Sequence, residues 1–272
     1  MRILKFLALL GLGAVATPAL ADPTDPPPAI TVSGSVAFVS DYRLRGVSQS
    51  DTKPAAQAGI TVSHKSGVYA GIWGSNLAGW GTFGGPNLEL DAIVGFKHDL
   101  FKGTADVGLT WYNYPGGATL TDYVEFYAKY SRTKGPVTLT GSVFYAPPQR
   151  ALANYSNTPF SRQQLEDNLY VAGDAAVAVP KTPFTLKGHI GYSAGNPGLG
   201  PNGTSVAPTG KYVDYAVGGD VTWRNLTFNL SYVATDISAA DAARLAPQFT
   251  RGQNGSGSIS NGTAVISLTA TF

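Results

Sequence analysis

The sequence has no cysteine, one methionine and few charged residues, which make up 13% of its 272 positions. Without cysteine, the fold cannot depend on disulfides. The basic residues form no stripe that would bind phosphates, which excludes a nucleic-acid partner. The stretch whose apolar residues come closest to a helical spacing of 3.6 residues is "DAARLAPQF", from Asp241. It predicts one or two helical turns in a loop. These absences leave a protein built mainly from strands.

The N-terminus has the features of an export signal. Arg2 and Lys5 precede an apolar run, and a small-x-small pattern ends at Ala21. We therefore predict a secretory signal peptide over residues 1–21, cut between Ala21 and Asp22. The alternative is a transmembrane anchor, but the run is short for spanning and a proline-rich stretch follows it closely. After cleavage, seventeen basic residues face seventeen acidic ones, so the exported chain is formally neutral.

What the sequence does contain is typical of strands and turns: 33 glycines, 11% aromatic residues and period-two alternation along most of the chain. This alternation predicts about twelve strands. They cover residues 32–45, 55–63, 68–76, 87–98, 104–114, 122–131, 137–146, 167–179, 184–193, 212–224, 226–235 and 263–272. Most have the 9–11 or so residues that a tilted strand needs to cross a bilayer.

The connections between these strands alternate between short and long. The short ones are "HKSG", "LFKG", "RTKGP", "PKTP" and "RN"; the long ones are 46–54, 77–86, 115–121, 147–166, 194–211 and 236–262. Strict alternation is typical of an outer-membrane barrel with short periplasmic turns and long extracellular loops, and a soluble β-sandwich gives no reason for it. We predict an all-β chain: a proline-rich periplasmic segment, 22–31, and then a transmembrane antiparallel up-and-down β-barrel, 32–272, in the outer membrane.

Charged residues share one face of each predicted strand with other polar residues, opposite the apolar side chains. A charge that faces lipid at mid-bilayer costs about 2–4 kcal/mol for Arg or Lys, so this face must line the lumen. The predicted pore-lining residues within the strands are Glu89, Asp91, Asp106, Glu125, Lys129, Asp174, Lys187, His189, Asp214 and Asp220.

The last predicted strand ends on Phe272, with apolar residues at alternate positions before it. A closed barrel pairs its last strand with its first, so a chain can finish inside the sheet. A terminal aromatic resembles the C-terminal signature of bacterial outer-membrane proteins, which the barrel-insertion machinery recognises. Aromatic residues near strand ends predict interfacial girdles. These are Tyr42, Trp111, Tyr145 and Tyr192 toward the loops, and Phe96, Tyr130, Phe184, Trp223 and Phe228 toward the turns.

One segment also resembles a known family. The stretch "GSVAFVSDYRLRGVSQSDTKPAAQAGITVSHKSGVYAGIWGSN", followed by "LELDAIVGFKH", is similar to the TorF family of porins from Gram-negative bacteria. The similarity is specific over residues 33–98, and its centre is "SDYRLRGVSQS". The resemblance implies a porin-like barrel and supplies no substrate.

Within that segment, Asp41, Arg43 and Arg45 alternate with apolar residues at the end of the first predicted strand. We expect their side chains to point inward at the outer mouth, where fixed charges bias the passage of ions. Arginine suits bidentate binding of carboxylate or phosphate, so an anionic solute is one interpretation. The alternative is a structural ion-pair network that bonds to other lumen residues or folds the loop.

The sequence favours neither an enzyme nor a metal or cofactor site. It has three histidines, His64, His98 and His189, and none lies beside a serine nucleophile pattern. We expect a narrow, selective passage for small hydrophilic solutes or ions, partly filled by side chains or an inward loop. Loops 147–166, 194–211 and 236–262 are the candidate constrictions. The alternatives are a non-conducting barrel that anchors the envelope or binds a partner through its loops, and a soluble secreted sandwich.

Overall fold

The computed structural model describes residues 28–85, 87–117, 120–153, 160, 163–197 and 206–272. The predicted signal peptide 1–21, with its cleavage site between Ala21 and Asp22, lies outside these residues, as does most of the segment 22–31.

Twelve antiparallel strands form a closed barrel, as the alternation predicted. In chain order they are β1 (Ile30–Val39), β2 (Ala55–His64), β3 (Val68–Asn76), β4 (Leu88–Leu100), β5 (Gly103–Asn113), β6 (Tyr123–Lys134), β7 (Val137–Gln149), β8 (Glu166–Ala178), β9 (Phe184–Gly195), β10 (Lys211–Trp223), β11 (Leu226–Thr235) and β12 (Thr263–Thr271). Each strand pairs with its neighbours in sequence, so the topology is up-and-down.

The barrel closes between β12 and β1, where Val36 lies opposite Ala270. Past the end of β12, the Phe272 amide donates to the Gly34 carbonyl over 3.0 Å, and the Gly34 amide donates back over 2.8 Å. The ring of Phe272 lies over Gly34, where a Cβ atom would meet it at 2.5 Å. This closing pair leaves neither strand with a free edge.

The two ends of the barrel differ in their connections. Tight turns join β2 to β3, β4 to β5, β6 to β7, β8 to β9 and β10 to β11, and long loops join the other successive strands. We call the long-loop end the outer end and the other the inner end. The sixth loop, 236–262, contains a short helix, α1 (Ala239–Arg244), where the sequence predicted helical turns.

The outer face of the barrel is apolar. Phe126, Leu186 and Val217 are 49%, 59% and 64% exposed, whereas most of the acids that alternate with such residues along the strands are buried. Since a barrel in a bilayer needs an apolar surface and keeps its charges inside, this division fits a membrane-spanning sheet. Among the described residues, no helix is both long enough and apolar enough to cross a membrane.

The prediction of a first strand over residues 32–45 is wrong at its C-terminal end. The structure ends β1 at Val39, and residues 40–54 leave the wall as the first loop. Tyr42, predicted for the outer girdle, instead lies inside the barrel, where its ring packs edge-on against Trp73 at 5.5 Å. The alternation continues past Val39, so the two-residue period gave no sign that the chain leaves the wall.

Candidate functional site

The first loop, residues 40–54, folds inward as a short hairpin, which we call the first-loop hairpin. Arg43–Leu44 pairs with Val47–Ser48 around its tip. Asp41 stabilises the base of the hairpin. Its Oδ2 accepts a hydrogen bond from Arg43 Nε at 2.7 Å, and its Oδ1 accepts one from Ser48 Oγ at 2.5 Å. Asp41 and Arg43 therefore act in the structure as an internal ion pair that shapes the loop.

Arg45, at the tip of the hairpin, crosses the lumen to the opposite wall. Its guanidinium donates to Glu125 Oε1 on β6 over 2.6 Å and to Asn168 Oδ1 on β8 over 2.7 Å. It also lies 4.3 Å from the ring centre of Tyr170, while its carbonyl accepts from the Tyr212 hydroxyl at 3.0 Å. The sequence predicted an inward-facing arginine; the structure shows it held against β6, β8 and β10.

The hairpin is also tied to the second and sixth loops. The Ala78 amide donates to the Gln49 carbonyl over 3.0 Å, and the Ser48 amide donates to the Ile259 carbonyl over 2.9 Å. Asp51 Oδ1 accepts from the Gly252 amide at 2.6 Å. Neighbouring loops therefore hold the hairpin across the barrel from both sides.

Above the hairpin, apolar side chains from all six long loops form one buried cluster, which we call the outer cap. One member from each loop, in chain order, gives Val47, Trp80, Tyr114, Leu152, Val206 and Phe249. The Trp80 ring packs edge-on against Phe249 at 5.0 Å. Loops 147–166, 194–211 and 236–262, the predicted constrictions, contribute to this cap. Among the described residues, the segment that reaches across the lumen is the first loop.

Below the cap lies an acidic, tyrosine-rich region of the outer half. Glu89 and Asp91 on β4 are 1% and 4% exposed. The Tyr114 hydroxyl donates to Glu89 Oε1 over 3.3 Å. Tyr112 stacks on Tyr123 with ring centres 4.5 Å apart, and the Tyr112 hydroxyl donates to Glu125 Oε2 over 3.3 Å. Cross-strand positions on β4, β5 and β6 bring these groups together, since Asp91 lies opposite Tyr112 and Tyr112 opposite Tyr123.

The inner half of the lumen contains ion pairs that bridge neighbouring strands. Lys187 Nζ lies 3.0 Å from Asp220 Oδ2, and Lys97 Nζ lies 3.8 Å from Asp106 Oδ2. The Lys97 side chain is 50% exposed, so water reaches this end. Asp106 also accepts from the Tyr69 hydroxyl at 2.7 Å.

His189, on β9, joins two acids from its neighbouring strands. Its Nδ1 lies 2.7 Å from Asp174 Oδ1 on β8, and its Nε2 lies 3.0 Å from Asp214 Oδ1 on β10. The Tyr170 hydroxyl lies 2.9 Å from the same Nε2. Among the described residues, the hydrogen-bond partners of this ring are two carboxylates and a tyrosine hydroxyl, which is the network of an ion-pair bridge across three strands.

The structure places the predicted lumen residues on the inner face of the sheet, and their role in conduction stays a prediction. Lys129 lies over the rings of Tyr127 and Phe144, with Nζ at 4.7 and 5.1 Å from their centres. Sequence reasoning missed the lumen tyrosines and Asn168, because a tyrosine on a strand looks like an ordinary interfacial aromatic. Within the described residues, no group of three or more His, Asp or Glu side chains is placed to hold a metal ion.

With this geometry established, comparison with known proteins gives the family. The sequence model of the family described as "Bacterial protein of unknown function (Gcw_chp)" matches residues 22–272. The chain belongs to this family. No curated protein matches the sequence. The TorF resemblance stays a prediction, since the Gcw_chp match does not carry that name.

Among solved structures, the fold resembles the NanC porin, at 12% identity and a TM-score of 0.53, over 88% of this chain and 99% of that one. An outer membrane channel from Pseudomonas putida F1 matches at 11% identity, over 93% and 100% of the chains, with a TM-score of 0.44. An anion-selective porin from Comamonas acidovorans matches at 10% identity, over 89% and 98%, with a TM-score of 0.38. The NanC likeness shows the fold: this Gcw_chp protein is a porin-like β-barrel.

Proposed function

We propose that this chain is an outer-membrane channel that gives small hydrophilic solutes or ions a narrow, selective passage. The observation that carries this proposal is the Arg45 bridge: a charged side chain crosses a polar lumen and divides it. Twelve strands enclose a lumen between the filled barrels of about eight strands and the wide pores of sixteen to eighteen. A hairpin across that lumen reduces the passage further, so conduction is small.

The apolar exterior and the porin-like fold support a location in the outer membrane, with lipid around the barrel. The proposal includes an N-terminal signal peptide for export and recognition of the strand that ends at Phe272 by the barrel-insertion machinery. Membrane fractionation tests the location. A transmembrane barrel remains in the membrane pellet after carbonate washing, whereas a soluble secreted sandwich is released.

Planar-bilayer recording tests conduction, with the wild type, Arg45→Ala and Lys53→Ala measured side by side. Lys53 belongs to the same hairpin, but its side chain is 67% exposed, which makes Lys53→Ala the matched control. We expect small discrete openings for the wild type and the control, and a larger conductance for Arg45→Ala, because the hairpin loses its hold on β6 and β8. Verified insertion without openings in any of the three contradicts the proposal, as does a conductance equal to that of wide general porins.

The outer cap favours a second candidate, a non-conducting barrel that anchors the envelope or binds a surface partner through its loops. A buried apolar cluster drawn from all six long loops suits a plugged barrel. The same recording distinguishes the two candidates. The non-conducting barrel predicts no channel openings for the wild type or for Arg45→Ala. We propose no enzymatic activity for either candidate.

A further inference from the structure

The acids of the lumen fall into two groups. Those with a basic partner at ion-pair distance are Asp41, Asp106, Glu125, Asp174, Asp214 and Asp220. Glu89 and Asp91, both on β4, have no such partner in the part of the chain that the structure describes. The outer half therefore carries two acids that no described basic residue reaches at ion-pair distance.

Unpartnered polar atoms mark the same place. Glu89 Oε2, Asp91 Oδ1 and the Tyr123 hydroxyl are buried and have no hydrogen-bond partner among the described residues. Tyr123 is 1% exposed and stacks on Tyr112, whose hydroxyl reaches Glu125 on this wall of the lumen. A buried polar group without a partner is costly, so three of them at one site indicate a group that supplies both a positive charge and hydrogen-bond donors.

Aromatic rings surround these acids. Tyr114 donates to Glu89, and Tyr112 lies opposite Asp91 on the next strand. Trp73 lies opposite Asp91 on the other side, where its ring packs against Tyr42. A carboxylate with aromatic neighbours suits an ammonium group, because the ring quadrupole and the acid both favour a cation with N–H donors.

In the inner half of the same lumen, an ammonium group, a tyrosine ring and a carboxylate occur together. Lys97 Nζ lies 4.8 Å from the ring centre of Tyr69 and 3.8 Å from Asp106 Oδ2. A lysine ammonium there binds a tyrosine face and a carboxylate together. The outer half repeats the tyrosines and the carboxylates, but no lysine of the described residues lies at ion-pair distance from Glu89 or Asp91.

We infer that Glu89 and Asp91, with the tyrosines around them, form a binding site for the ammonium group of a small solute. The inference deepens the proposed function by naming a class of solute, and it rests on that function for the route by which the solute arrives. It differs from the anionic solute that was one interpretation of the arginines in the first loop. Arg43 and Arg45 are paired with Asp41 and Glu125, so among the described lumen residues of the outer half the groups without an ion-pair partner are the acids Glu89 and Asp91.

Binding of methylammonium chloride to the purified barrel tests the inference, by calorimetric titration at constant ionic strength. The test variant is Glu89→Gln/Asp91→Asn. The matched control is Asp106→Asn, which removes a lumen acid that already has a lysine partner. We expect saturable binding to the wild type, an affinity within about threefold in the control, and a loss of about tenfold or more in the test variant, since bonds to charged groups contribute the most. Heat-modifiable migration on gels confirms that each variant is folded; if the double variant does not fold, Glu89→Gln and Asp91→Asn are tested singly.

Three outcomes overturn the inference: no saturable binding to a folded wild type, an equal loss in the control, or equal competition by potassium chloride, which would indicate general attraction of cations. Conductance, recorded separately, distinguishes this failure from that of the proposed function. Methylammonium binding without channel openings would contradict the proposed channel and support the binding site. Channel openings without methylammonium binding would contradict the binding site and support the channel.

Discussion

The two halves of the lumen are built from the same strands but stabilised differently. In the outer half, the Arg45–Glu125 pair is almost fully buried, with side chains 5% and 1% exposed, under an apolar cap. In the inner half, the Lys97–Asp106 pair is 50% and 16% exposed. A buried pair is expensive to break, because the remaining charge stays out of water, whereas a hydrated pair contributes little. The buried pair of the outer half therefore fixes the first-loop hairpin to the wall. In the inner half, the Lys97–Asp106 pair presents charge to solvent, while the Lys187–Asp220 pair is less exposed.

The largest expected effect comes from Arg45→Ala, which leaves Glu125 buried without its cation. We expect the free energy of unfolding to fall by about 3–5 kcal/mol, as for other broken buried pairs. Urea unfolding in lipid vesicles measures it. The double variant Arg45→Met/Glu125→Gln removes both charges and should recover most of the loss. A loss below about 1 kcal/mol for Arg45→Ala would show that the bridge does not stabilise the outer half.

The next effect concerns the outer cap. Trp80→Leu removes part of its largest buried side chain, which packs against Phe249 and Phe83. We expect a loss of about 2–3 kcal/mol, somewhat less than for truncation to alanine. Trp111→Leu is the matched control, since Trp111 lies on the exterior and is 46% exposed. The same unfolding experiment measures both, and equal losses would contradict a packed cap.

A smaller effect is expected at the tip of the hairpin. Gly46 has φ +79°, and a Cβ atom there would lie 2.5 Å from Thr235 Cγ2. Gly46→Ala should therefore cost about 1–3 kcal/mol through strain and displace the hairpin from β11. Gly135 also has a positive φ, +60°, but open space around it, so Gly135→Ala isolates the backbone cost. If both variants lose the same stability, the tip does not pack closely against the wall.

The smallest change in stability is expected in the inner half. Lys97→Ala removes a half-exposed partner of Asp106 and should change the free energy of unfolding by less than about 1 kcal/mol. Its effect is on selectivity, because a free carboxylate in a hydrated lumen favours cations. Reversal potentials in a salt gradient should shift toward cation preference. A large loss of stability in Lys97→Ala would contradict the difference in stabilisation between the two halves of the lumen.

The sequence by itself determined the barrel wall, that is, which segments form strands and which side chains of each strand point inward. Side chains on successive strand residues point to opposite faces, so a two-residue period places Glu125 inside and Phe126 outside from local information alone. Turn chemistry and loop length then predicted the alternation of connections and the closure near Phe272. The structure confirms the closed barrel of twelve strands.

Only the tertiary structure decided what crosses the lumen. Asp41, Arg43 and Arg45 alternate with apolar neighbours as a strand does, so the sequence favoured a first strand that runs to 45; the structure ends it at Val39. The one local sign was Gly46, which allows a hairpin tip. The partners that hold Arg45 inside, Glu125 and Asn168, lie 80 and 123 residues away in sequence. A local period cannot encode such pairs, because the closed barrel alone brings the two walls within reach of one side chain.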